Sequence, residues 1–201
     1  MYQLILASAS PRRKEILNQV GAEFITIVSH IEEHMTQTNP KELVQKLSYE
    51  KATEVAKRVD ATNAVILGAD TVVVLENKIL GKPSSMSEAE QMLEMLSGKV
   101  HEVDTGVCIL ILEQGKIKEE ISFVEQTKVE FYPLTKEEIL SYIATGESMD
   151  KAGAYALQGQ SAPYIARIEG DYYNVVGLPI AKIYQELKRH KINLITGEKC
   201  K

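Results

Sequence analysis

Apolar residues recur along the chain in two rhythms. Short apolar or alternating runs of strand length occupy residues 3–7, 24–28, 64–68, 72–75, 100–112, 117–131, 164–168 and 174–176. Between them, at 12–20, 40–58, 87–96, 135–145 and 179–188, lie segments that read as helices, with apolar residues placed to form one stripe. Local chemistry supports the helix limits. Ser10-Pro11 and Asn39-Pro40 each place a capping residue before a first-turn proline, and Gly21 suits the end of the first helix. Ser87-Glu88-Ala89-Glu90 and Thr135 to Glu138 read as capping boxes. Glu76-Asn77-Lys78 turns between two short strands, and Gln114-Gly115-Lys116 joins the two long ones. Helices and strands interleave, yet 100–131 forms a hairpin. The expected fold is therefore mixed α/β with an antiparallel element, not a purely parallel sheet.

The 201 residues suit one domain, or two small lobes sharing a core. With no internal repeat and no Pro/Gly/Ser-rich linker, residues 1–197 are expected as a single domain and 198–201 as a flexible tail. No apolar run approaches the roughly 20 residues of a membrane span, and the first ten residues lack the basic and long apolar regions of a signal peptide. A reducing, cytoplasmic setting fits the two cysteines, Cys108 in a strand-like run and Cys200 in the tail, which are not expected to pair. The net charge of -5 argues against a general nucleic-acid binder, which needs a broad basic face. A small anionic ligand stays compatible, because a local cationic cluster can oppose the global sign.

Four segments carry candidate chemistry. In Ser8-Ala9-Ser10-Pro11-Arg12-Arg13-Lys14 a strand runs through small residues into a helix N-terminus, where free amides and the helix dipole favour an anion. Three cations there are electrostatically disfavoured unless an anion joins them; the bland alternative is a capped helix with a solvated basic turn. The loop is not a Walker A motif. In Gly68-Ala69-Asp70-Thr71-Val72 a carboxylate follows an apolar strand, placed to hold a divalent cation or activate a water, or simply to bond its own turn. In Ile31-Glu32-Glu33-His34 one of two carboxylates could reach a metal, against the alternative of a solvated acidic turn. His30 and His34 lack the glutamate of a zincin helix, which argues against zinc. Lys51, Lys82 in Gly81-Lys82-Pro83, and Lys151 ahead of the small-residue run 152–159 are either solvated or aimed at an anion. His101 and His190 have no evident partner, and no Ser/His/Asp or Cys/His set has a recognisable spacing.

Taken in order, the blocks Leu6 to Arg13, Glu32-Glu33, Lys51-Ala52, Gly68 to Val72, Gly81-Lys82-Pro83, Met92 to Gly98, Asp150 to Tyr155 with Gln158-Gly159, and Gly170 to Tyr173 through Gly177-Leu178-Pro179 resemble the Maf family of nucleotide pyrophosphatases. The match spans nearly the whole chain. The resemblance implies a two-lobed mixed-sheet fold similar to inosine-triphosphate pyrophosphatase, with a nucleotide cleft between lobes. It implies a homodimer that hydrolyses nucleoside triphosphates between the α and β phosphates with a divalent cation, magnesium or manganese. It also implies a link to septum formation in bacteria, which no residue carries. Within the family, Arg12, Thr71 and Gln158 match the branch acting on dTTP and UTP; the 7-methyl-GTP branch has an aromatic residue, Gln and Glu there. Ala156-Leu157 departs from a commoner Gly-Ile pair.

On this reading Arg13 and the catalytic Lys51 and Lys82 face the polyphosphate with Ser8 and Ser10, Lys151 binds substrate, Glu33 and Asp70 hold the metal, Asp70 serves as general base, and Arg12, Thr71 and Gln158 read the base. A uracil edge offers acceptors and an N–H donor, which a glutamine amide satisfies and a glutamate only half satisfies. Rival readings are the same reaction on a 7-methyl-GTP or damaged purine substrate, and a non-catalytic nucleotide-binding regulator.

Overall fold

The computed structural model describes residues 1–32 and 39–200. Its seven-stranded sheet is mixed, with β1 (Gln3–Leu6), β2 (Phe24–Thr26), β3 (Asn63–Leu75), β5 (Val100–Glu113), β6 (Lys116–Phe131) and β7 (Ile165–Glu169) in the order β2-β1-β3-β5-β6-β7, and β4 (Lys78–Leu80) on β3. β1 is parallel to both β2 and β3, whereas β4 is antiparallel to β3 and β7 to β6. The helices are α1 (Pro11–Gln19), α2 (Pro40–Ala56), α3 (Met86–Leu96), α4 (Lys136–Ala144), α5 (Tyr172–Val176) and α6 (Ile180–Arg189). The mixed α/β class expected from the hydrophobic pattern is thus the one observed. Among the described residues no helix is long and apolar enough to cross a membrane.

The chain divides into two compact units. The first comprises 1–70, 105–124 and 177–201. Ile5, Ala7, Ala52, Val55, Ala64, Ile66, Cys108 and Leu110 form a core cluster that joins α2 to the sheet. Gly68 sets how closely α2 approaches: a Cβ there would overlap the Ser48 carbonyl oxygen and lie 2.9 Å from the Ala52 side chain. The second unit comprises 71–104 and 125–176. Its core gathers Leu93 and Leu96 of α3, Ile139 and Ile143 of α4, Phe131 of β6, and Tyr155.

Several boundaries differ from the sequence reading, each for a local reason. Residues 64–68 and 72–75 are one strand of 13 residues, because Gly68 makes no turn; its missing side chain admits α2. Asp70 therefore sits within a strand, and the reading in which it bonds its own turn is overturned. The capping box expected at Ser87 is not formed: the N-cap is Ser85, whose Oγ accepts from the Glu88 amide at 3.2 Å, while the Glu88 carboxylate accepts from the amide of Ser84, one residue before the cap, at 2.7 Å. The box at Thr135 and Glu138 is present as expected. Residues 174–176, expected as a strand, belong to α5, with Asp171 Oδ1 accepting from the Tyr173 amide. Residues 198–200, expected as a tail, are tied back: the Cys200 amide donates to the Lys191 carbonyl at 2.7 Å, and Lys199 pairs with Glu113 at 3.0 Å. Cys108 and Cys200 are both free thiols.

Candidate active site

In the first unit the candidate residues gather where β1 leaves the sheet. The Ala7 amide donates to the Leu67 carbonyl at 2.8 Å, which holds the end of β1 three residues short of Asp70 on the neighbouring strand. Beyond it, Ser8 is buried and its hydroxyl oxygen accepts twice, from the Ser10 amide at 3.2 Å and from Arg13 Nη1 at 3.0 Å. With its lone pairs occupied, the Ser8 O–H is left to donate outward. Arg13 is also buried, and its Nε donates to the Gly177 carbonyl at 2.7 Å. Its guanidinium therefore braces the loop from inside, while Arg12 beside it is half-buried. Ser10 caps α1 through its backbone alone, and no acidic residue offsets the Arg12-Arg13-Lys14 charge in the first turn. A helix start in that condition favours an anion.

The close packing of α2 at Gly68 brings Lys51 onto β3. Lys51 Nζ donates to Asp70 Oδ1 at 2.6 Å, and the two residues are only 9% and 8% exposed. A buried ion pair is weak grounds for stability. A pair buried for so little stability points to a functional role. Among the described residues Asp70 Oδ2 has no hydrogen-bond partner, since Lys51 bonds Oδ1. It is a hard oxygen donor of the kind that magnesium takes, usually one or two carboxylates with phosphates and water completing the shell. Glu33, the other expected metal carboxylate, lies outside the described residues, and Glu32 is exposed. Among the described residues no group of three or more His, Cys, Asp or Glu could hold a metal.

In the second unit two loops meet. The Gly153 amide donates to the Gly81 carbonyl at 3.0 Å, which sets the loop carrying Lys151 against the one carrying Lys82. Gly153 has φ +67° and packs on Val73 of β3 so closely that a Cβ would lie 2.9 Å from a valine methyl. The next residue, Ala154, is buried and also left-handed, φ 61°. A non-glycine residue held there costs roughly 1–2 kcal/mol and tends to mark sites under functional constraint. Lys82 is exposed; Lys151 is half-buried and paired with Asp150. Thr71 follows Asp70 on β3, half-buried, and Gln158 is exposed.

The structure also supplies a partner for His101. Its Nε2 lies 2.8 Å from the Tyr155 hydroxyl, and both rings pack edge-on against Phe131. Burial pushes the His101 pKa down to about 4, so the ring is neutral near pH 7. The sequence carries no signal for this pair, which lies 54 positions apart. Cys108 is no nucleophile: burial first, then the Glu120 charge, pushes its thiol up to about 12.

A strand running into an anion-ready helix start, with a buried lysine–carboxylate pair at the neighbouring strand, is an arrangement suited to a phosphate-bearing ligand. The chain belongs to the Maf family, whose model, described as Maf-like protein, matches residues 3–190. A dTTP/UTP pyrophosphatase of Lachnoclostridium phytofermentans is 52% identical over 195 residues, covering 97% of this chain and 98% of the relative. One from a Geobacillus species is 52% identical over 190 residues, covering 94% and 98%. Among solved structures, a nucleoside-triphosphatase / dITP/XTP pyrophosphatase from Mycobacterium abscessus superposes with a TM-score of 0.45 at 11% identity, covering 92% of this chain and 93% of that one.

Proposed function

We propose that this chain is a nucleotide pyrophosphatase hydrolysing dTTP and UTP to the monophosphate and pyrophosphate. The names of relatives about half identical over almost their whole length support the substrate class. The observation that carries the chemistry is the buried Lys51–Asp70 pair, 2.6 Å apart, alongside the Ser8 loop.

Phosphoanhydride hydrolysis needs little covalent chemistry from the protein. It needs positioned charge and a base for the attacking water. In this reading the Asp70 carboxylate takes the proton from water, while Lys51 fixes it by holding Oδ1. The Ser8 hydroxyl and the free amides at the start of α1 donate to phosphate oxygens, and Arg13 keeps Ser8 aimed. Ser10, Arg12, Lys82 and Lys151 add donors and charge for the polyphosphate. A divalent cation, magnesium or manganese, would be held by Asp70 with Glu33, and supplies charge neutralisation and a more acidic water when bound. Arg12, Thr71 and Gln158 read the pyrimidine edge. Family resemblance alone extends the proposal to a homodimer in the cytoplasm and to an association with septum formation.

A panel of dTTP, UTP, CTP, 7-methyl-GTP and modified nucleotides, followed by pyrophosphate release, tests the reading. Release favouring dTTP and UTP is the expected result; preference for 7-methyl-GTP would overturn the base-reading roles, and tight binding without release would favour a regulator. Gln158→Glu should lower kcat/KM for both pyrimidines more than it lowers the melting temperature, and unchanged kcat/KM for both would sink the role of Gln158.

A further inference from the structure

We propose that Glu147 is a positioning residue for pyrimidine selection, its carboxylate holding the turn that presents Gln158; this rests on the base-reading role given to Gln158 above. The turn closes on itself first. Ser161, fully buried, donates from Oγ to the Ala156 carbonyl at 2.8 Å and accepts from the Ala156 amide at 3.3 Å. The Gly159 amide donates to the Ala156 carbonyl at 2.9 Å. These bonds shape the turn, and the exposed Gln158 stands on it.

Glu147 grips the turn from outside. It opens the 3-10 turn Glu147–Asp150, with its own amide donating to Thr145 Oγ1 at 3.2 Å. Its Oε2 accepts from the Gln160 amide at 2.9 Å. A Cβ on Gly159 would overlap both carboxylate oxygens. Gly159 is not among the left-handed residues, so its missing side chain serves the approach of Glu147 and not an unusual backbone angle. The carboxylate thus contacts both residues that follow Gln158, one by hydrogen bond and one by packing. A solvated surface glutamate would need neither contact. The Tyr142 hydroxyl lies beside it, buried, and burial first and the Glu147 carboxylate second raise its pKa. With Glu147 in place the backbone that carries Gln158 is fixed before substrate arrives; without it, that turn must be ordered by each substrate that arrives.

Steady-state kinetics on dTTP and UTP, with amide hydrogen exchange at Gln160 and a thermal melt of each variant, test this. Glu147→Ala should raise KM roughly tenfold, the scale of one hydrogen bond to a charged group, with kcat within about twofold. Exchange at the Gln160 amide should accelerate in the same variant. Glu147→Gln keeps an acceptor oxygen and should restore both readouts most of the way. Native KM and native protection in Glu147→Ala would overturn the proposal. So would a Gln variant as impaired as Ala, which would point to charge and not to the hold. Gln158→Ala separates the two ideas. A KM effect there with none in Glu147→Ala refutes the Glu147 role alone, whereas no effect in Gln158→Ala refutes base reading and takes the KM half of this proposal with it.

Discussion

Asp70 and Lys51 show how much one contact changes the reading of a residue. In sequence, Asp70 follows an apolar run and could belong to a turn; in the structure it lies on a strand with Lys51 on one oxygen at 2.6 Å. Asp70→Asn keeps the shape and an acceptor for Lys51 but removes the base. It should lower kcat by about a hundredfold or more while far-UV circular dichroism stays native. A near-normal rate would remove Asp70 from the base role. Arg13 makes the complementary point. Its charge and its place at a helix start suggest a phosphate ligand, yet its bonds to Ser8 and Gly177 turn it inward. The sequence could not separate Arg12 from Arg13, because adjacent helix positions point in different directions and only packing says which one faces the core.

At the scale of elements, the approach of α2 to β3 delivers Lys51 to Asp70, and Gly68 permits that approach. Gly68→Ala should destabilise the chain by about 1–3 kcal/mol as α2 is pushed away, and should lower activity further by moving Lys51. Urea unfolding and kcat measured on the same variant check both parts; unchanged stability would mean that the helix shifts freely. Most elements were legible in the sequence because period and capping agree there, as at Thr135 and Glu138. The failures share one physical origin. Gly68 reads as the last residue of a short strand but lies within a long one and serves packing, and Asn174-Val175-Val176 reads as a strand, yet Asn174 donates to the Val103 carbonyl and Thr127 Oγ1, both at 3.0 Å, from within a helix. Long-range contacts decided both. The loop from Ser8 to Lys14 was legible for the opposite reason: strand, small residues, cap and cations are contiguous. Glu147 and His101 were not, since their partners are distant in sequence or are backbone amides.

For the whole molecule, stability should carry the mark of His101. Folded, it stays neutral down to about pH 4; unfolded, it takes a proton below about 6.5. The unfolded chain then binds more protons between those values, so stability is full above about 6.5 and falls as pH drops toward 4. Wild type should lose about 2 kcal/mol more than His101→Gln between pH 7 and pH 5 in urea unfolding. Parallel losses would show that the buried ring is not what titrates. The central claim remains the reaction itself: attack by water on a pyrimidine triphosphate at a base built from Asp70. Its most direct test is to incubate dTTP and UTP with the wild-type chain and with Asp70→Asn, with magnesium and then with chelator, and to identify every phosphate product. Equal amounts of monophosphate and pyrophosphate from the wild type with metal, and about a hundredth or less of either from Asp70→Asn in the same time, is the outcome predicted. Release of inorganic phosphate with the diphosphate, or equal turnover by Asp70→Asn, would contradict it.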